Sequence, residues 1–156
     1  MKKNAIVSLA DEKYFNLLIE LIDSIKKKPE SKDTAICVLD AGMNDLIRPA
    51  LYQAHHPLET VAEPSTDTAL VDVVGPVCES ADTFAEQTEL AKLSPGDLLA
   101  IRSAGAYGFV MACNYNGRPR PAEILCHGET KQLIRARETL EHLWYGEARL
   151  ESTLED

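Results

Sequence analysis

The chain has 156 residues, room for one domain of ordinary size with at most a short appendage. Its 45% hydrophobic and 26% charged residues are those of a soluble globular protein with apolar side chains to spare for a core. A formal net charge of -9, with no basic stripe beyond Lys26, Lys27 and Lys28, excludes a nucleic-acid footprint. From the N-terminus, 4–10 reads as a buried strand, and Asp11 follows as the N-cap of a helix opened by Tyr14 and Phe15. Leu17, Leu18, Leu21, Ile22 and Ile25 recur at helical spacing, and the three lysines complement the dipole at the helix end. Pro29 and the polar residues up to Asp33 stop the helix, and 34–39 gives a second strand, completing a βαβ unit. Asp11, Glu12, Lys13, Glu20 and Asp23 interrupt the early apolar residues, so no signal peptide is expected, and nothing approaches a membrane span.

The pattern changes at Leu39-Asp40-Ala41-Gly42-Met43. A short helix is expected over 44–52, with Pro49 tolerated in its first turn and Arg48 and Tyr52, four apart, on one face. Strands follow at 58–62, 69–74, 98–103, 109–114, 122–126 and 132–137, separated by Gly, Pro, Asn and Asp clusters. His127-Gly128-Glu129 makes the hairpin turn between the last two. A final helix over 138–145 directs Leu140, Leu143 and Trp144 toward the core, and a loose acidic tail follows.

The stretch Val73-Val-Gly-Pro-Val-Cys-Glu-Ser80 sets a thiol beside a carboxylate where an apolar run ends. A second small-residue loop, Ser103-Ala-Gly-Ala-Tyr-Gly-Phe109, carries the phenol of Tyr107. Cys37, Cys78, Cys113 and Cys126 have no C-x-x-C spacing, which excludes a zinc ribbon or thioredoxin-type site and fits a cytoplasmic chain with reduced thiols. Cys37, Cys113 and Cys126 lie in strand-like runs and are expected to be inert core residues. His55 and His56 share no ligand spacing with a thiol or carboxylate, so no metal is expected.

Asp45-Leu-Ile-Arg-Pro-Ala-Leu-Tyr52, Val73–Ser80, Gly96-Asp-Leu-Leu-Ala100 and Ser103–Phe109 resemble, in order and spacing, words of the C-terminal β-domain of diaminopimelate decarboxylases. Asn114-Tyr-Asn-Gly-Arg-Pro-Arg-Pro-Ala-Glu123 and Ile134-Arg-Ala-Arg-Glu-Thr139 continue the likeness, which spans residues 40–150. The resemblance implies an α+β fold, mainly an antiparallel, Greek-key barrel-like β-domain of the alanine-racemase/decarboxylase type, preceded by the short βαβ unit as an appendage over 1–39 and followed by a flexible tail over 151–156. It also implies a pyridoxal-phosphate decarboxylase that converts meso-diaminopimelate to L-lysine and carbon dioxide. In such enzymes an N-terminal barrel holds the cofactor on a lysine and the β-domain completes the site across a homodimer interface.

On that resemblance Arg48 and Tyr52 contact the distal end of the amino-acid substrate, Glu79 binds its distal ammonium, and Tyr107 approaches cofactor and substrate. Cys78 is the catalytic thiol supplied to the partner subunit's site. A fixed arginine fork binds a carboxylate bidentately and so separates a dicarboxylic substrate from lysine. A carboxylate pairs with an ammonium, and a thiol in suitable surroundings donates a proton. No barrel, cofactor-anchoring lysine or glycine-rich phosphate loop is found, so the isolated chain is expected to be inactive. Ala81 stands where the family more often has Gly, which strains the loop if positive φ is needed there.

Residues before Asp40 look more like the opening βαβ unit of a nucleotide-sugar glycosyltransferase, though no Asp-x-Asp metal motif follows. This suggests a chimera with its seam at Leu39 to Met43. Two other readings are a non-catalytic dimerising β-domain and a glycosyltransferase fragment.

Overall fold

A computed structural model describes the backbone of residues 5–7 and all of residues 35–61 and 66–148. The strands are β1 (Ala5–Val7), β2 (Ala35–Val38), β3 (Leu58–Thr60), β4 (Thr68–Val74), β5 (Thr83–Ala91), β6 (Leu99–Ile101), β7 (Glu123–His127) and β8 (Thr130–Arg135). Two short helices, α1 (Arg48–Tyr52) and α2 (Leu140–Leu143), and two 3-10 turns, Phe109–Met111 and Tyr115–Gly117, complete the described elements. The fold is mostly antiparallel sheet with few helices, as expected from the sequence.

One sheet has the order β1-β2-β4-β5. β2 runs parallel to both β1 and β4, while β4 and β5 are antiparallel. A strand with parallel neighbours on both sides is covered on both faces, and Ile36, Cys37, Val38 and Leu39 are all buried. The helix expected between β1 and β2 lies outside the described residues, as do the tail and the ends of the strands expected at 4–10 and 58–62. β4 alternates, so that Val71 and Val73 enter a core with Cys37, Leu39, Leu46, Phe84 and Leu90. β3 pairs with β6 and β7 with β8, both antiparallel, and the β7–β8 connection is the Gly128–Glu129 turn foreseen from the sequence.

Residues 1–112 and 113–156 form two compact units. The first holds every buried residue described; none of residues 113–148 is buried. Expectations for the second unit therefore need correction. Cys113 and Cys126 are exposed rather than core, and Leu140 and Trp144 of the shorter final helix remain more than half exposed.

Two corrections concern strands. β5, the longest strand, was not expected, and the strand expected at 109–114 is a 3-10 turn with Val110 exposed. α1 also begins later than expected. Asn44 to Ile47 instead belong to a turn in which the N–H groups of Asp45 and Leu46 donate to the Gly42 carbonyl at 2.9 and 3.3 Å.

Candidate functional site

Helix α1 presents its exposed face through two side chains one turn apart. Pro49 sits in its first turn, where the missing N–H costs nothing, and Gln53 ends it in a left-handed conformation, φ 54°. Arg48 and Tyr52 thus share a face, as their spacing implies. The guanidinium carbon of Arg48 lies 5.4 Å from the centroid of the Tyr107 ring. This cation-π geometry holds the arginine fork above a phenol that is itself exposed.

The Tyr107 loop is shaped by its backbone. Ser103 opens it at φ 57°, and a Cβ on Gly108 would lie 2.3 Å from the Ala104 carbonyl oxygen, so only glycine closes the loop so tightly. Its entry is pinned by His56, a buried ring whose Nδ1 is 3.0 Å from the Arg102 carbonyl oxygen, where it serves as donor. The Nε2 of His56 meets no hydrogen-bond partner among the described residues. No group of three or more His, Cys, Asp or Glu side chains able to hold a metal occurs among them.

Cys78, Glu79 and Ser80 are exposed on the turn that joins β4 to β5, with the Ser80 hydroxyl donating to Glu79 at 3.2 Å. Ala81 does not adopt positive φ, so the strain expected there is absent. The turn rests on Asp82, a buried carboxylate that sequence reasoning did not single out. Its Oδ2 accepts the Val77 N–H at 2.7 Å, and its Oδ1 accepts the Met43 N–H at 2.6 Å. The structure thus brings Arg48 and Tyr107 into contact and places Cys78 and Glu79 together on a turn bonded to the loop before α1.

The thiols differ by location. Burial pushes the Cys37 thiol up to about 11, whereas Cys78 is exposed. In the second unit, Arg120 donates from Nε to Glu138 at 2.8 Å, and its backbone N–H donates to the same carboxylate at 2.8 Å. The Asn114 amide adds a third donor at 2.7 Å, and together these hold the Glu138 carboxyl at about 2.

An anionic aromatic cofactor would find a cation and a phenol in Arg48 and Tyr107, but no amine to anchor it. The two lysines among the described residues are Lys92, paired with Asp67 at 2.7 Å, and Lys131 on β8. These residues fit the rim of a pyridoxal-phosphate site and not its anchor.

A mostly antiparallel sheet domain that offers an arginine, a phenol, a thiol and a carboxylate from its loops defines the class of this protein. The profile of the family described as pyridoxal-dependent decarboxylase, C-terminal sheet domain, matches residues 13–105, more than half of the chain, and the chain belongs to that family. The match runs through Leu39 to Met43, where the sequence suggested a seam. A diaminopimelate decarboxylase of Pseudomonas aeruginosa is 52% identical over 124 residues, covering 80% of this chain and 29% of that protein. The crystal structure of the Helicobacter pylori diaminopimelate decarboxylase complexed with L-lysine is similar with a TM-score of 0.68 and 46% identity, over 72% of this chain and 28% of that one. The M. jannaschii enzyme in co-complex with L-lysine gives a TM-score of 0.73 and 40% identity, over 81% and 28%. The chain thus spans less than a third of the length of these relatives.

Proposed function

We propose that this chain is the substrate-recognition portion of a pyridoxal-phosphate-dependent diaminopimelate decarboxylase, completed by a cofactor-holding portion that its relatives carry in the rest of their length. The observation that carries this reading is the contact of Arg48 with Tyr107, at 5.4 Å, on the surface of a domain 52% identical to a diaminopimelate decarboxylase. The ring restricts the fork, so less side-chain entropy is lost when Arg48 takes the distal carboxylate of the substrate bidentately. Tyr52, on the same helix face, contacts that distal end, and Glu79 takes the distal ammonium, an ion pair that gains strength once water is excluded. Tyr107 also borders the cofactor, which supplies the electron sink for loss of carbon dioxide.

Cys78 delivers a proton to the carbon that loses carbon dioxide, in the site of the partner subunit of a homodimer. Residues 1–39 are, on this reading, a βαβ appendage whose β1 and β2 extend the sheet of the decarboxylase-type portion 40–150.

The test is co-expression of the full chain with the part of the Pseudomonas aeruginosa relative outside the match, followed by co-purification and measurement of carbon dioxide released from meso-diaminopimelate with pyridoxal phosphate. Release by the assembly and not by either part supports the reading. A co-purified assembly loaded with cofactor that releases none overturns it. In the active assembly Arg48→Ala raises KM by about 10- to 100-fold, the loss of a charge-assisted bidentate contact worth roughly 1.5–3 kcal/mol.

A further inference from the structure

The two halves of the proposed site hang from segments far apart in sequence, and one side chain joins them. Met43 lies on the loop that leads into α1 and hence to Arg48 and Tyr52. Val77 immediately precedes Cys78 and Glu79. We propose that Asp82 is a positioning residue for this site, its carboxylate fixing the turn of Cys78 and Glu79 against the approach to Arg48. The proposal rests on the assignment of Arg48 and Glu79 to one substrate.

Each oxygen of Asp82 serves a different segment. Oδ1 accepts the Met43 N–H at 2.6 Å and Oδ2 the Val77 N–H at 2.7 Å. The Asp82 backbone closes the same turn, its carbonyl accepting from Gly75 N–H at 2.9 Å and its N–H donating to the Glu79 carbonyl at 3.1 Å. The carboxylate reaches this position because two residues lack side chains. A Cβ at Gly75 would lie 2.3 and 2.4 Å from the two carboxylate oxygens. A Cβ at Gly42 would lie 2.7 Å from Val77 Cγ2 and 3.4 Å from Asp82 Oδ2.

Asp82 is only 4% exposed, so the two bonds it accepts are not exchanged for water. An amide cannot replace it. Asparagine has one acceptor oxygen, and its NH2 would face the second N–H donor-to-donor. A purely structural turn bond would tie the β4–β5 turn to itself, whereas this carboxylate spans 39 residues to the segment that carries the other half of the site.

The test uses Asp82→Asn in the full chain and in the co-purified assembly. In the full chain, backbone amide resonances of residues 42–48 and 76–80 are expected to move together while those of 130–135 stay. Changes confined to 75–82 overturn the joint. In the assembly, KM for meso-diaminopimelate is expected to rise about tenfold with kcat within about threefold, the signature of lost binding geometry. An unchanged KM, or a fall in kcat alone, overturns the positioning role. Gly42→Ala, which wedges a methyl between Val77 and the carboxylate, strains the joint from its other side, is expected to give the same split, and replaces D82N if that variant does not fold. Should the wild-type assembly release no carbon dioxide, the functional reading fails while the resonance experiment still decides whether the joint exists.

Discussion

Cys37 stands on the central strand among Val71, Val73 and Phe84, where ionising its sulfur would place a charge in apolar surroundings, and its thiol is accordingly raised to about 11. Iodoacetamide at pH 8 is expected to label Cys78, Cys113 and Cys126 in the folded chain and Cys37 only after denaturation; mass spectrometry showing Cys37 modified at a comparable rate in the native chain would contradict this. The apolar neighbours of Cys37 made its burial legible, since a continuous Ile-Cys-Val-Leu run suits a strand covered on both faces. The same inference misplaced Cys113 and Cys126, because an apolar run marks a core only where a second layer covers it. Val73 is 0% exposed in that core, and Val73→Ala is expected to cost about 2 kcal/mol in urea unfolding, two methyl groups plus part of the cavity they leave. Asp82 escaped the sequence because a buried carboxylate is recognised by the N–H groups aimed at it, which only the folded chain brings near.

At the scale of elements, strands with clean alternation or buried runs were readable, and irregular ones were not. β5 carries Glu86, Gln87 and Glu89, residues more often found in helices, and its alternation is broken by register shifts opposite Val73. Gln87 takes up one shift at φ 47°, its N–H donating to Asp72 at 2.8 Å, so the pattern fails where the strand bulges. The Phe109-Val-Met111 run failed for the opposite reason. It has strand composition, but the tight approach of Gly108 to the Ala104 carbonyl turns the chain into a 3-10 turn. Of the five proposed site residues, the pairing of Arg48 with Tyr52 was legible from helical spacing, and that of Cys78 with Glu79 from adjacency. The meeting of Arg48 with Tyr107 depends on a loop whose path is set by Ser103 and Gly108. Gly108→Ala is therefore expected to destabilise the chain by about 1–3 kcal/mol, the cost of forcing a methyl against backbone, and to move the amide resonances of residues 103–108. An unchanged melting temperature with unmoved resonances would contradict the assigned closure.

The two units of the molecule draw their stability from different sources. Residues 1–112 have an apolar core, whereas residues 113–148 bury no side chain and include a two-stranded hairpin, an element marginal by itself in water. What ties the Asn114 to Arg120 loop to the start of α2 is the Glu138 carboxylate, which accepts from Asn114 and from the backbone and side chain of Arg120. Its pKa falls from 4.5 to about 2 in the folded unit, chiefly through the Arg120 side chain. A carboxyl with a depressed folded value contributes stability that is present above its unfolded value and lost as pH falls through the folded one. The window is therefore about pH 4.5 down to about 2. Solvent screening of this accessible pair limits the contribution to roughly 1 kcal/mol. The chain has one tryptophan, Trp144, and it lies in this unit, so its emission on excitation at about 295 nm reports the second unit alone. Its denaturant midpoint is expected to fall with acidification across that window, and in Glu138→Gln to be lower near neutrality and to lose this dependence. A Glu138→Gln chain whose midpoint keeps the full acid dependence would show that other carboxyls hold the unit together.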